Sequence, residues 1–136
     1  MFTFFDHTGD IGVDIRAETC EDLFCDAARA LFEAITDTRN VHPKIDRDFT
    51  ADGENRAEVL NRFLARLLVT FDEEKLVLPF VTVQKLTDRF IRATASGEKF
   101  DPARHEGRTE LKAVTWHELS VEKTREGWKA RVVFDV

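Results

Sequence analysis

The sequence predicts an α+β fold, a two-layer sandwich of two amphipathic helices on a predominantly antiparallel sheet. Three observations carry this expectation. Two segments repeat apolar residues at helical spacing behind a capping residue, and seven others alternate apolar and polar positions or are rich in β-branched and aromatic residues. The connections within the last group are short and charged or glycine-containing, as hairpin succession requires. The 136 residues fit one domain, 1–136, and contain no repeat, low-complexity tract or Pro/Gly/Ser-rich linker.

The first strand pair is Phe2 to Phe5 and Ile11 to Ala17, joined by "DHTGD". In the second strand Ile11, Val13, Ile15 and Ala17 share one face, while Asp10, Gly12, Asp14 and Arg16 share the other. In "TCEDLFCDAARALFEAI", Thr19 is placed as an N-cap with Asp22 three residues on, and Leu23, Ala27, Ala30, Leu31 and Ala34 follow at helical spacing. "VHPKIDRDFTADG" reads as a polar edge strand ending at Asp52-Gly53. The second helix, "NRAEVLNRFLARLLVTFDEEK", repeats the capping logic with Asn55 and Glu58, and its stripe from Val59 to Phe71 is wide enough to lie on a sheet. Four more strands follow in "LVLPFVTVQKL", "DRFIRATASGEKF", "TELKAVTWHELSVEKT" and "WKARVVFDV".

Composition narrows the function. With 20 Lys and Arg against 26 Asp and Glu, the net charge of −6 repels a polyphosphate backbone, so no autonomous nucleic-acid binding is expected. Cys20 and Cys25 are five residues apart on a helix, point in different directions, and read as reduced thiols of a cytoplasmic protein. The start, "MFTFFDHTGD", matches neither a secretory signal nor a membrane span, and no membrane partner is expected. No Gly-rich phosphate loop, nucleophile elbow or His-rich zinc constellation is present.

The acids of the first turn need an explanation, because a hairpin needs only its glycines. In the last strand, Trp128, Ala130, Val132, Phe134 and Val136 alternate onto one apolar face and leave Lys129, Arg131, Val133 and Asp135 on the other. If the first and last strands are neighbours, Asp10, Asp135 and the Val136 carboxylate converge into an oxygen-only cation site of the kind that holds Ca²⁺ or Mg²⁺; solvated acids on an open face are the plainer reading.

The runs "HTGDIGVDIRAETCEDLFCDAARALFEAITD" and "GEKFDPARHEGRTELKAVTWHEL", with a chain that stops at "FDV", together resemble the archease family over essentially the whole length. The resemblance implies an accessory protein, not an enzyme. Its expected partner is a GTP-dependent RNA ligase that joins a 3′-phosphate or 2′,3′-cyclic phosphate end to a 5′-hydroxyl in tRNA splicing and RNA repair, and it promotes guanylylation and repeated turnover of that ligase. The family's metal ligands fall here on Asp10, Asp135 and Val136. Gly9 and Trp116 depart from the family, which usually has alanine and tyrosine there, and an indole only donates where a phenol also accepts.

Other residues keep two readings. His7 orients Asp10 or contacts a partner, or merely bonds the backbone; Lys112 neutralises the acids or is solvated. Lys112 and His117, of opposite parity on one strand, share a face only across a bulge. Cys20 at a helix start is a nucleophile or, more simply, a small core residue. Glu58, Arg62 and Arg66 form a surface ladder, or the two arginines meet an acidic partner; the basic run Lys99, Arg104, His105, Arg108 and Lys112 has no interleaved aromatics for stacking single-stranded RNA, which leaves open a contact to phosphate or the ligase. Two other functions stay open: a metal-assisted hydrolase or phosphotransfer enzyme using Asp10, Asp135 and His7, and a chaperone of an RNA-modifying methyltransferase.

Overall fold

The computed structural model describes residues 1–136. Its elements are β1 (Phe2–His7), β2 (Asp10–Ala17), α1 (Cys20–Ile35), β3 (Ile45–Asp52), α2 (Arg56–Glu74), β4 (Leu76–Leu86), β5 (Phe90–Lys99), β6 (Ala113–Val114), β7 (Ser120–Lys123) and β8 (Trp128–Asp135), with one 3₁₀ turn at Thr38–Asn40. Both helix starts form as their sequences dictate. The Thr19 hydroxyl accepts the Asp22 N–H at 3.1 Å and the Asn55 side chain accepts the Glu58 N–H at 2.9 Å, each satisfying an amide with no partner inside the helix.

The α+β class and the antiparallel pairing hold, but the strands divide between two sheets where the sequence suggested one. The first sheet runs β1-β2-β8-β6, with β7 also paired to β8, and the second runs β3-β5-β4. Both helices touch strands of both sheets, α1 against β2, β8 and β4, and α2 against β3, β5, β6 and β7. The helices therefore lie between the sheets. The physical reason is visible in α1, which buries Phe24, Ala28 and Phe32 as well as Leu23, Ala27 and Leu31. A helix apolar on more than one side needs cover on more than one side.

The core collects Val13, Ile15, Val132 and Phe134 from the first sheet, Ile91, Ala93, Ala95 and Leu78 from the second, and the helix residues between them. Gly97 is the tightest backbone approach: a β-carbon there would lie 1.7 Å from the Val77 carbonyl oxygen, at the β4 irregularity between Val77 and Phe80. No helix is long and apolar enough to cross a membrane.

The segment expected as one strand, "TELKAVTWHELSVEKT", is instead two short strands around a turn. Asn61, buried on α2, donates to the carbonyls of Thr115 at 2.8 Å and Val114 at 3.4 Å, and the His117 N–H folds back onto the Thr115 hydroxyl at 3.2 Å. Glu118 then takes a left-handed conformation, φ +50°. Parity along a single strand thus does not govern Lys112 and His117.

Candidate metal centre

The site starts at the β1–β2 turn. Thr8 and Gly9 are both left-handed, φ +48° and +87°, the geometry of a two-residue hairpin whose twist matches its strands. His7 and Asp10 flank that turn as a cross-strand pair. The β2–β8 register, Ile11 opposite Phe134 and Gly12 opposite Val133, puts Asp10 beside Asp135 one step further on. Asp135 in turn faces Ala113 of β6, and its carbonyl accepts the Lys112 N–H at 2.7 Å. The ends of the sequence meet on the sheet face turned away from the helices.

Asp10, Asp135 and Val136 are all half-buried. Neither aspartate side chain enters an ion pair or hydrogen bond with the protein, although nearly every other acid on this face does. Asp14 is clamped by Nε and Nη2 of the Arg131 guanidinium, at 2.7 and 2.9 Å, and this bonding holds its carboxyl below the usual range while raising Arg131. Arg131 also reaches Glu118 at 3.1 Å and lies over the Phe5 ring, 4.4 Å from its centroid. Phe5 crosses Gly12, where any β-carbon would strike the ring at 2.2 Å.

Beyond this row, Glu118 bonds His7 through Nε2, and His117 stacks on His7 with ring centroids 6.4 Å apart. The turn at Glu118 thus carries His117 over to the first hairpin. Lys112, Trp116 and His117 are exposed, and Lys112 adjoins Asp135 along β6. Glu118 was invisible to sequence reasoning as part of this cluster, although its place beside His117 in "WHEL" was a usable signal.

Nowhere do three or more His, Cys, Asp or Glu side chains gather as a metal site. A cation at Asp10 and Asp135 therefore needs main-chain or water oxygens for its remaining ligands, and the Val136 main chain is next in line. Two unpartnered carboxylates with main-chain oxygen beside them fit a hard cation, Ca²⁺ or Mg²⁺, better than zinc.

Other candidates turn inward. Arg104 binds the buried Glu98, and Arg108 reaches Glu33 at 2.9 Å and Asp37 at 3.7 Å, so both arginines of the basic run are engaged by the chain's own carboxylates while Lys99 and Lys112 stay exposed. His105 is buried and its Nδ1 accepts the Asp101 N–H at 2.8 Å. Cys20 is buried, and desolvation pushes its thiol up, away from the thiolate a nucleophile needs. Glu58 and Arg62 form the expected ion pair at 2.9 Å, while Arg66 takes no carboxylate.

An α+β domain with two sheets about a helix pair, and an acidic pair where its first and last strands meet, is the class this geometry defines. The Archease protein family model matches residues 2–136. Protein archease of Pyrococcus furiosus is 38% identical over 136 residues, covering 97% of this chain and 96% of its own, and that of Methanosarcina mazei is 36% identical over 139 residues, covering 99% and 95%. The solution structure of protein 1598 of Methanobacterium thermoautotrophicum superposes with a TM-score of 0.82 at 34% identity, covering 99% of this chain and 98% of the other. An archease from Thermotoga maritima, described as a possible chaperone, shares the fold at 20% identity and a TM-score of 0.67, covering 97% of this chain and 94% of the other. The chain belongs to the archease family.

Proposed function

We propose that this chain is a metal-binding accessory protein that promotes guanylylation and multiple turnover of a GTP-dependent RNA ligase in tRNA splicing or RNA repair in the cytoplasm, without catalysing a reaction itself. The observation that carries the reading is the β2–β8 register, which sets Asp10 beside Asp135 with neither carboxylate engaged by the protein. Asp10, Asp135 and the Val136 main chain would hold Ca²⁺ or Mg²⁺, with water completing the shell. The cation supplies positive charge at a surface that otherwise carries two adjacent acids. His7, fixed through Nε2 by Glu118, keeps the Asp10 end of the hairpin in place, and Lys112 adds an exposed positive charge at the rim.

Calorimetric titration with Ca²⁺ and Mg²⁺, followed by a multiple-turnover ligation of 2′,3′-cyclic phosphate RNA with the partner ligase, tests this. Asp10→Asn and Asp135→Asn are expected to lower cation affinity at least tenfold and to lose stimulation of the ligase while keeping the fold. Unchanged cation binding in both variants would sink the site. Hydrolase or phosphotransfer turnover by the purified chain, lost on Asp10→Asn, would move the assignment to an enzyme.

A second reading has one observation in its favour, the description of the Thermotoga maritima protein as a possible chaperone. Under it, the chain protects an RNA-modifying methyltransferase. Protection of such an enzyme against aggregation that survives Asp10→Asn, with no effect on any RNA ligase, would favour it.

A further inference from the structure

We infer that Arg131 is a positioning residue of the candidate metal centre, acting through Glu118 and His7 on the hairpin that carries Asp10. The inference rests on the reading of Asp10 and Asp135 as cation ligands, and it adds what holds their surroundings in place.

Arg131 stands on β8 directly opposite Asp14 of β2, and its guanidinium is engaged on several sides at once. Nε and Nη2 bind Asp14, Nη1 donates to Glu118 Oε1 at 3.1 Å, and the group lies over the Phe5 ring. Glu118 passes the hold on, because its other carboxylate oxygen, Oε2, contacts His7 Nε2. One side chain thus joins β1 through Phe5, β2 through Asp14, and the turn between β6 and β7 through Glu118. No other polar group orients the His7 ring: its Nδ1 is buried without a partner, and His117 only stacks on it.

These contacts close a circuit around Phe5. Asp14 shares a strand and a face with Asp10, and His7 is the partner of Asp10 across the turn. Arg131 therefore grips the Asp10 hairpin at two points while standing on the strand that ends in Asp135. Directly opposed residues have β-carbons about 5 Å apart, so the His7 ring forms one wall of the space beside the Asp10 carboxylate. Arg131 does this without neutralising the acidic pair. It lies four residues from Asp135, about 13 Å along a strand. Val133, between them on the same face, is fully buried.

Exposed ion pairs contribute little to stability, and Arg131, Asp14 and Glu118 are each more than a third exposed. What this network supplies is geometry. A planar fork meets two carboxylates and an aromatic ring together, which the point charge of a lysine does not. Glu118 takes its left-handed conformation to set a carboxylate between Arg131 and His7, and such a conformation persists in a glutamate only where contacts hold it.

Nitrogen-15 spectra of the imidazoles at about pH 8, where an ordinary histidine is neutral, together with calorimetric titration of Ca²⁺ and Mg²⁺, are the test. Native His7, assigned by the loss of its signals in His7→Gln, is expected in one tautomer with its proton on Nε2. Arg131→Lys keeps the charge and Arg131→Gln removes it. Both are expected to average the His7 tautomers and to lower cation affinity about threefold or more, short of the roughly tenfold or greater loss typical of groups bonded directly to a ligand. Charge alone predicts the opposite for Arg131→Gln, since deleting a positive charge near an acidic pair raises cation affinity. Glu118→Ala leaves the clamp between Arg131 and Asp14 and is expected to reproduce the tautomer change. Arg16→Gln, the same charge change at an exposed arginine of this face, is expected to leave His7 as it is. A single tautomer retained in both Arg131 variants, a cation affinity raised by Arg131→Gln, or the same losses in Arg16→Gln would each overturn the inference. A native chain that binds neither cation would overturn the reading of Asp10 and Asp135 separately, because the His7 spectrum decides the hold of Arg131 with or without a cation.

Discussion

Replacing Glu98 by glutamine should remove a clamp that ties the 101–109 segment to the second sheet. The Glu98 carboxylate, buried on β5, receives the Arg104 guanidinium and the His42 N–H, and His105 Nε2 stands 3.7 Å away. Arg104 bonding is the leading cause that holds Glu98 down to about 2 from an ordinary 4.5. At about 1.4 kcal/mol for each tenfold change in proton affinity, that difference corresponds to about 3 kcal/mol. Because Arg104 is 39% exposed and regains water when the clamp is lost, about 2 kcal/mol is the realistic cost of the substitution at pH 7. For a chain of this size that lowers the melting temperature by roughly 6–10 °C. The sign with pH follows from the lowered value: the native stabilisation is complete above about 4.5 and is lost as pH falls toward 2. Thermal melts at pH 7 and pH 3 of both proteins should show a wide gap that narrows in acid. Asp37 titrates in the same low range, lowered to about 2 by Arg39 bonding, but it is common to both proteins and cancels in the difference. A gap of equal size at both pH values, or none at pH 7, would refute the reasoning.

Two further substitutions probe the packing of the second sheet and the turn that carries His117 and Glu118. Gly97→Ala should cost at least about 3 kcal/mol, because its β-carbon would meet the Val77 carbonyl oxygen at 1.7 Å and backbone cannot swing aside as a side chain can; denaturant melts, or recovery of soluble protein, will register it. Asn61→Ala should cost about 1–3 kcal/mol by leaving the Thr115 carbonyl without its 2.8 Å donor, and faster hydrogen exchange confined to residues 113–119 would mark the loosened turn.

The sequence announced its helices and strands through short-range chemistry. Thr19 and Asn55 cap where their side chains can reach an amide three residues on, and the alternation in β2 and β8 correctly puts Asp10 and Asp135 on polar faces. The condition that made them neighbours, the pairing of first and last strands, could be stated but not read, since strand order is a long-range choice. The split into two sheets was hidden for the same reason, although Phe24, Ala28 and Phe32 on the second side of α1 hinted at it. The turn at Glu118 was illegible. A glutamate does not favour positive φ, and the hold on that turn comes from Asn61, more than fifty residues away. Arg108 looked like part of a free surface patch because two of its carboxylates, Glu33 and Asp37, lie far away in the chain, and Arg104 because nothing local shows that the chain folds back onto Glu98.

The pairing of β2 with β8 has a consequence for how the molecule comes into being. Residues 45 to 99 build the second sheet from the local β4–β5 hairpin and a β3–β5 pairing that reaches from Ile45 to Gly97, whereas the first sheet must close a much longer loop, from Ile11 to Phe134. A nascent or partly unfolded chain would therefore hold its helices and one sheet while Asp10 and Asp135 were still far apart. The acidic pair exists only when the longest loop is shut, so any property that depends on it also reports whether the chain has finished folding.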